Sequence, residues 1–167
     1  MHTRLVINNV GSGRVTPART WRGGGLKPGF GAPDLHIGQS SGEVEAVLGA
    51  PDEQVRSAEE LYYVYRSLGI DVVFGSSQRV NSLYFFAANI ERHSHAAHVR
   101  LDAIGLGSGR SQIVSVLGQP NLAGGPVKVG RRMKSWLCYD SGVEFDLDGR
   151  NRVITIIIFQ PKRQPPH

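Results

Sequence analysis

One pattern constrains this chain more than any other: a block of it is written twice. Val47-Leu48-Gly49-Ala50-Pro51-Asp52 returns 69 residues later as Val116-Leu117-Gly118-Gln119-Pro120-Asn121. At the same spacing, Ile37-Gly38 and Val44 return as Leu106-Gly107 and Ile113. After a loop four residues longer in the second copy, the spacing becomes 73 and holds. Gly69-Ile70-Asp71-Val72 then answers to Gly142-Val143-Glu144-Phe145, and Val80, Leu83 and Phe86 answer to Val153, Ile156 and Phe159. Duplication of one unit produces a single break in register, placed in a loop; chance similarity scatters its breaks.

Each copy predicts the same elements. Ser40 with Glu43 is a capping-box pattern. Val44, Val47 and Leu48 form one apolar stripe at helical spacing, and Gly49 and Pro51 stop the helix. The second copy starts at Ser108 or Gly109, carries Ile113, Val116 and Leu117, and stops at Gly118 and Pro120. Three strand-like runs follow in each: 61–65, 70–74 and 80–86, then 133–139, 143–147 and 152–159. Short glycine-bearing connections join them as antiparallel neighbours. The expected fold is α+β: two tandem repeats, each a helix plus a three-stranded antiparallel meander, with the helices on one face of the sheet. The expected organisation is a basic, Gly/Pro-rich, largely flexible arm over 1–33 and a first repeat over 34–91. A linker over 92–100, a second repeat over 101–159 and a disordered basic tail over 160–167 complete it.

Side chains alternate along a strand, so comparing the copies sorts the two faces of the sheet. Ile70/Val143, Val72/Phe145, Phe74/Leu147, Leu83/Ile156 and Phe85/Ile158 are apolar in both copies and read as core. Asp71/Glu144, Val73/Asp146, Ser82/Thr155, Tyr84/Ile157 and Phe86/Phe159 face away. On the first strand of each meander, Val64/Cys138 and Tyr62/Trp136 are placed inward, and Tyr63/Leu137 and Tyr65/Tyr139 outward. A helix-free face carrying Tyr63, Tyr65, Asp71, Tyr84, Phe86, Tyr139, Glu144, Ile157 and Phe159 fits a protein-binding surface, because aromatics dominate interface hot spots. The competing expectation is that the N-terminal segment or a second sheet covers that face.

The stretch from Pro28-Gly29-Phe30-Gly31 through Leu35-His36-Ile37-Gly38-Gln39-Ser40, Glu43-Val44 and Leu48-Gly49-Ala50-Pro51-Asp52 resembles a unit of the BLIP-like superfold. That group holds the beta-lactamase inhibitory proteins and the SmpA/OmlA (BamE) outer-membrane assembly lipoproteins. Leu106-Gly107-Ser108, Ile113 and Val116-Leu117-Gly118-Gln119-Pro120 repeat the motif less fully. The resemblance spans 28–159 and implies a non-catalytic protein that binds another protein through its open sheet face, as an inhibitor, immunity-type protein or assembly adaptor. Two departures stand against it. The inhibitory proteins are disulfide-stapled and the lipoproteins carry a lipobox cysteine, whereas this chain has the single cysteine Cys138.

Charge divides the 167 residues unevenly. Residues 1–33 carry five bases and no acid, 34–91 carry nine acids against three bases, and 92–159 carry nine bases against five acids. The basic segments raise a nucleic-acid alternative through Arg14, Arg19 and Arg22 and the patch Lys128, Arg131, Arg132 and Lys134. No nucleic-acid motif accompanies them, and the aromatics interleave with acids instead. No apolar run reaches the ~20 residues of a membrane helix, and no signal-like segment is present, so the expected location is cytoplasmic.

Readings as an enzyme or a metalloprotein find less. His93, His95 and His98 form the one ligand-like cluster, and they sit in the inter-repeat linker without a fourth ligand at a suitable spacing. Gly23-Gly24-Gly25 lacks the strand-then-helix context of a phosphate loop. No serine occupies a nucleophile elbow, and Cys138 lies mid-strand. The expectation is therefore a non-enzyme with no cofactor. A further alternative places a small molecule or a reaction in the groove between repeats, which requires a pocket with convergent polar groups.

Overall fold

The structure, a computed structural model, describes residues 5–7 and 21–161. In chain order the first half holds β1 (Leu5–Ile7), β2 (Gly24–Gly25), α1 (Ser41–Leu48), β3 (Glu53–Arg56), β4 (Leu61–Tyr65), β5 (Ile70–Phe74) and β6 (Val80–Phe86). The second holds β7 (Val99–Leu101), β8 (Ile104–Gly105), α2 (Arg110–Leu117), β9 (Leu122–Val129), β10 (Arg132–Tyr139), β11 (Val143–Asp148) and β12 (Val153–Phe159).

This overturns the expected α+β architecture of helix plus three-stranded meanders. The molecule is mostly β. One nine-stranded sheet runs β1-β3-β4-β5-β6-β12-β11-β10-β9, and a three-stranded sheet runs β2-β7-β8. Among the described residues two helices of eight residues each accompany them, besides a 3-10 turn at Arg66–Leu68. Every pairing in the large sheet is antiparallel. The two halves fuse through β6 and β12, where Tyr84 lies opposite Ile157.

Each half contributes four strands after its helix. The fourth is β3 or β9, and each hid for a physical reason. β3 is four residues with charge at both ends, too short to show alternation. β9 reads Leu-Ala-Gly-Gly-Pro-Val-Lys-Val, a composition that signals a loop. It forms a strand because it lies at the edge of the sheet, where a proline costs no ladder bond facing inward. Gly124 is required there: a Cβ at that position would collide with the Trp136 ring lying across it.

Local contacts recur at equivalent positions in the two halves. The capping box forms in α1, with the Glu43 carboxylate accepting from Ser40 N at 2.7 Å and Ser40 Oγ accepting from Glu43 N at 3.3 Å. α2 starts instead at Gly109 with no side-chain cap. Gly49 and Gly118 end the two helices at φ 75° and 79°. The Tyr65 hydroxyl donates to the Gly49 carbonyl at 2.9 Å, and that of Tyr139 to Gly118 at 3.0 Å. These bonds satisfy carbonyls that a helix end otherwise leaves open.

The core lies between the helix-bearing face of the sheet and the elements packed on it. Val44, Leu48 and Ile113 of the helices meet Ile70, Val72, Phe74, Leu83, Phe85, Val143, Phe145, Leu147, Ile156 and Ile158. The expected flexible arm over 1–33 is packed from Trp21 onward. Trp21 stacks on Phe85 at 5.8 Å between ring centroids, and Leu26, Ala32 and Leu35 are buried in the same core. Sparse anchors in a glycine-rich stretch suffice because the rest of the segment needs only to run over the surface. The linker is also tied down, with Ala96 and Val99 buried and β7 pairing β2 in parallel. Residues 160–161 follow β12, and 162–167 lie outside the described residues, as do 1–4 and 8–20. Among the described residues no helix is long and apolar enough to cross a membrane.

Candidate functional site

Strand register assembles the other face of the sheet. Val64, Asp71, Tyr84, Ile157, Glu144 and Cys138 lie opposite one another in one row across five strand pairs. Phe86, Thr155, Asp146 and Trp136 form the next row. Neither helix covers these rows. The inter-repeat linker rises beside them, and together they shape a trough of about 650 Å³ that crosses the seam between the halves. Tyr84, Phe86, Asp71, Thr155, Asp146 and His93 are central to its lining.

His93 links the linker to the sheet. Its Nε2 lies 2.7 Å from Asp71 Oδ1, and its ring stacks on Phe86 at 4.2 Å. A carboxylate oxygen accepts, so the proton of this contact sits on Nε2. The His93 side chain is 1% exposed, and its Nδ1 has no hydrogen-bond partner. On the opposite side, Lys134 Nζ lies 2.6 Å from Asp146 Oδ2. Asp146 Oδ1 is likewise buried without a partner. Glu53 and Arg66 pair at 2.6 Å, and Arg132 donates to the Asn89 carbonyl at 3.2 Å.

Electrostatics in the trough follow from burial. Burial raises the carboxyl of Asp146, against the opposing hydrogen bond from Lys134. Glu144 is raised by burial and then by neighbouring Asp146. The Tyr84 hydroxyl is raised by burial first, then by the negative charges of Glu60, Glu144, Asp146 and Asp71. Burial likewise pushes the Cys138 thiol up, with Glu144 adding to the effect.

The expected site residues divide three ways. Asp71, Tyr84 and Phe86 line the trough; Glu144 and Ile157 continue the Tyr84 row beyond it. Phe159 is on the same face opposite Ser82, outside the trough. Tyr63, Tyr65 and Tyr139 are misplaced by the sequence reading: they lie in the core, with Tyr63 opposite Val72, Tyr65 opposite Ile70 and Tyr139 opposite Val143. Opposed residues share a face, so these partners carry the tyrosines inward. Val64, Cys138, Tyr62 and Trp136 correspondingly leave the core side.

Of the basic residues, Arg14 and Arg19 lie outside the described residues. Arg22, Lys128 and Arg131 are exposed, whereas Arg132 and Lys134 line the trough. The basic patch is thus split, and its Lys134 is engaged by an acid. The histidines do not converge: His93 is taken up by Asp71 and Phe86, and His95 and His98 are exposed. Among the described residues no three His, Cys, Asp or Glu side chains are placed to hold a metal ion. Sequence reasoning put Asp146 on the right face, beside Asp71 and Glu144, and missed Lys134 as its partner. It also missed His93 as part of the sheet face, since no strand periodicity extends into a linker.

No protein-family model and no curated protein matches this sequence. Among solved structures, the chain is similar to a DUF4309 family protein (YjgB) from Bacillus subtilis subsp. subtilis str. 168. The TM-score is 0.55 at 17% identity, over 79% of this chain and 88% of that one. It also matches an extracellular protein containing a SCP domain from Bacillus anthracis str. Ames, with a TM-score of 0.46 at 15% identity, over 74% of this chain and 44% of that one. The first likeness concerns the fold alone.

Proposed function

We propose that this chain is a non-enzymatic binding module that seats a segment of a partner protein in the trough on the helix-free face. The observation that carries this reading is the trough itself, in which the half-buried aromatic Tyr84 lies among polar groups drawn from both halves of the sheet. A rigid sheet holds these groups with little freedom left to lose on binding, and an aromatic with one polar end is the side chain that most often anchors an interface. The resemblance to the BLIP-like superfold supports the same mode of use, as an inhibitor, immunity-type protein or assembly adaptor. The Asp71–His93 contact and the stacking of His93 on Phe86 fix the linker wall of the trough against the sheet.

A small ligand in the same trough is the second reading, favoured by a volume of about 650 Å³, which is the size of a small-molecule pocket. Affinity capture from the native lysate, with and without nuclease and across a salt series, separates the readings. A discrete partner retained by the wild type at about 0.5 M salt and lost by Tyr84→Ala supports the proposal. Capture that is equal for wild type and Tyr84→Ala, or that vanishes with nuclease, removes it.

A further inference from the structure

We infer that the centre of the trough is a seat for a cationic side chain, an ammonium or guanidinium group of the partner segment, placed on the Tyr84 ring and bonded to the free oxygen of Asp146. The inference rests on the trough being the protein-binding site and names the chemistry that the site selects.

Two independent observations meet here. The Asp146 side chain is 7% exposed and lines the trough. Lys134 occupies its Oδ2, while Oδ1 is buried with no partner. Such an oxygen is costly unless a donor reaches it, and a charged donor serves it best. Thr155, directly opposite Asp146, also pairs with Phe86, so Asp146 and Tyr84 belong to adjacent rows of one surface.

The second observation is the Tyr84 ring itself, half-buried in the trough one row from Asp146. Four carboxylates, those of Glu60, Asp71, Glu144 and Asp146, act on its hydroxyl. His93 answers Asp71 and Lys134 answers Asp146, while Glu60 accepts from the Tyr62 hydroxyl and Glu144 has the Cys138 thiol beside it. Two carboxylates therefore act on Tyr84 with no basic group bonded to them. Of the other charged residues of the lining, Arg66 pairs with Glu53, Arg132 donates to the Asn89 carbonyl, and Glu91 and Arg92 are both exposed. An aromatic ring attracts cations to its face, and the unpartnered Asp146 oxygen lies in the adjacent row. An anion at the same point would meet the carboxylates.

The test is an amide NMR titration of the whole protein with n-butylguanidinium, using its neutral analogue N-butylurea and acetate as comparators. Saturable shifts at Tyr84, Thr155 and Asp146, with a Kd of roughly 1–10 mM for so small a probe, are expected. N-butylurea binds at least about tenfold more weakly, Tyr84→Leu weakens guanidinium binding about fivefold, and Tyr84→Phe retains it. Glu144→Gln, which leaves the Asp146–Lys134 pair intact, weakens it about twofold to threefold. No saturation below about 100 mM, equal binding of N-butylurea, or shifts with acetate in place of guanidinium overturns the inference. Tyr84-dependent protein capture together with a failed titration removes the cation seat and leaves the binding module standing. Saturable guanidinium binding without Tyr84-dependent capture removes the partner segment from the inference.

Discussion

Removing the two tyrosine hydroxyls that close the helix ends tests whether the halves are held by the same device. Tyr65→Phe and Tyr139→Phe keep the buried rings and delete the hydroxyl bonds to the Gly49 and Gly118 carbonyls, at 2.9 and 3.0 Å. A typical net contribution is about 1 kcal/mol per bond, and the loss is smaller where water can replace the donor. Gly49 is half-buried and Gly118 is exposed, so water reaches the second carbonyl more readily. The expected costs are about 1 kcal/mol for Tyr65→Phe and about 0.5 kcal/mol for Tyr139→Phe. Because the sites belong to different halves, the double variant loses their sum, about 1.5 kcal/mol. Urea denaturation at constant m-value measures all three. A larger loss at Tyr139 than at Tyr65, or a double variant far from the sum, refutes the reasoning that water access sets the difference and that the devices act independently.

Gly124→Ala drives a Cβ into the Trp136 ring and is expected to cost about 2–3 kcal/mol in chemical denaturation, against about 1 kcal/mol for Gly38→Ala, whose φ is 92° but whose Cβ meets open space. Trp21→Ala removes the ring stacked on Phe85 and is expected to lose about 3 kcal/mol, where a loose arm would lose nothing. Burial raises the folded pKa values of both Glu144 and Asp146 from their ordinary values, so the folded state holds their protons longer than the unfolded chain. Their contribution is therefore favourable at low pH and is lost as pH rises from the carboxylate range through the raised values. Glu144→Gln should flatten that decline in a series of melts across pH and raise stability at neutral pH. Lys134→Met leaves Asp146 buried without its cation and is expected to cost about 1–2 kcal/mol at pH 7, discounted because Lys134 is 35% exposed, with the loss shrinking as Asp146 is protonated.

Legibility in the sequence tracked how much each strand alternates. β5, β6, β11 and β12 switch between apolar and polar or differ between the copies, so their core residues were readable from the chain alone. β4 reads Leu-Tyr-Tyr-Val-Tyr, apolar or aromatic at every position, and such a run carries no parity. Only pairing with β5 decides which tyrosines are buried, and pairing is a long-range fact. β9 was hidden by Gly-Gly-Pro, because its strand character comes from the neighbour it pairs with. Half of the trough was visible as Asp71, Tyr84 and Phe86. The Asp146–Lys134 bond needed two strands in register, and the His93 contact needed the path of a linker.

The β6–β12 ladder joins residues 82–86 to residues 155–159, a separation of about 70 residues. The pairings within each half connect neighbours in the chain, apart from those made by β1, and the short β2–β7 pairing is a second join between the halves. Closing a long loop has to precede the contacts that reward it, so the seam is expected to be the late event in folding, after each meander has formed. The trough spans that seam, with Asp71 and Tyr84 on one side and Thr155 and Asp146 on the other. A ligand that needs both sides has nothing to grip on a half-folded chain. Occupancy of the trough is thus a readout of completed folding, and a bound partner would slow the seam's opening more than it would slow the fraying of either half.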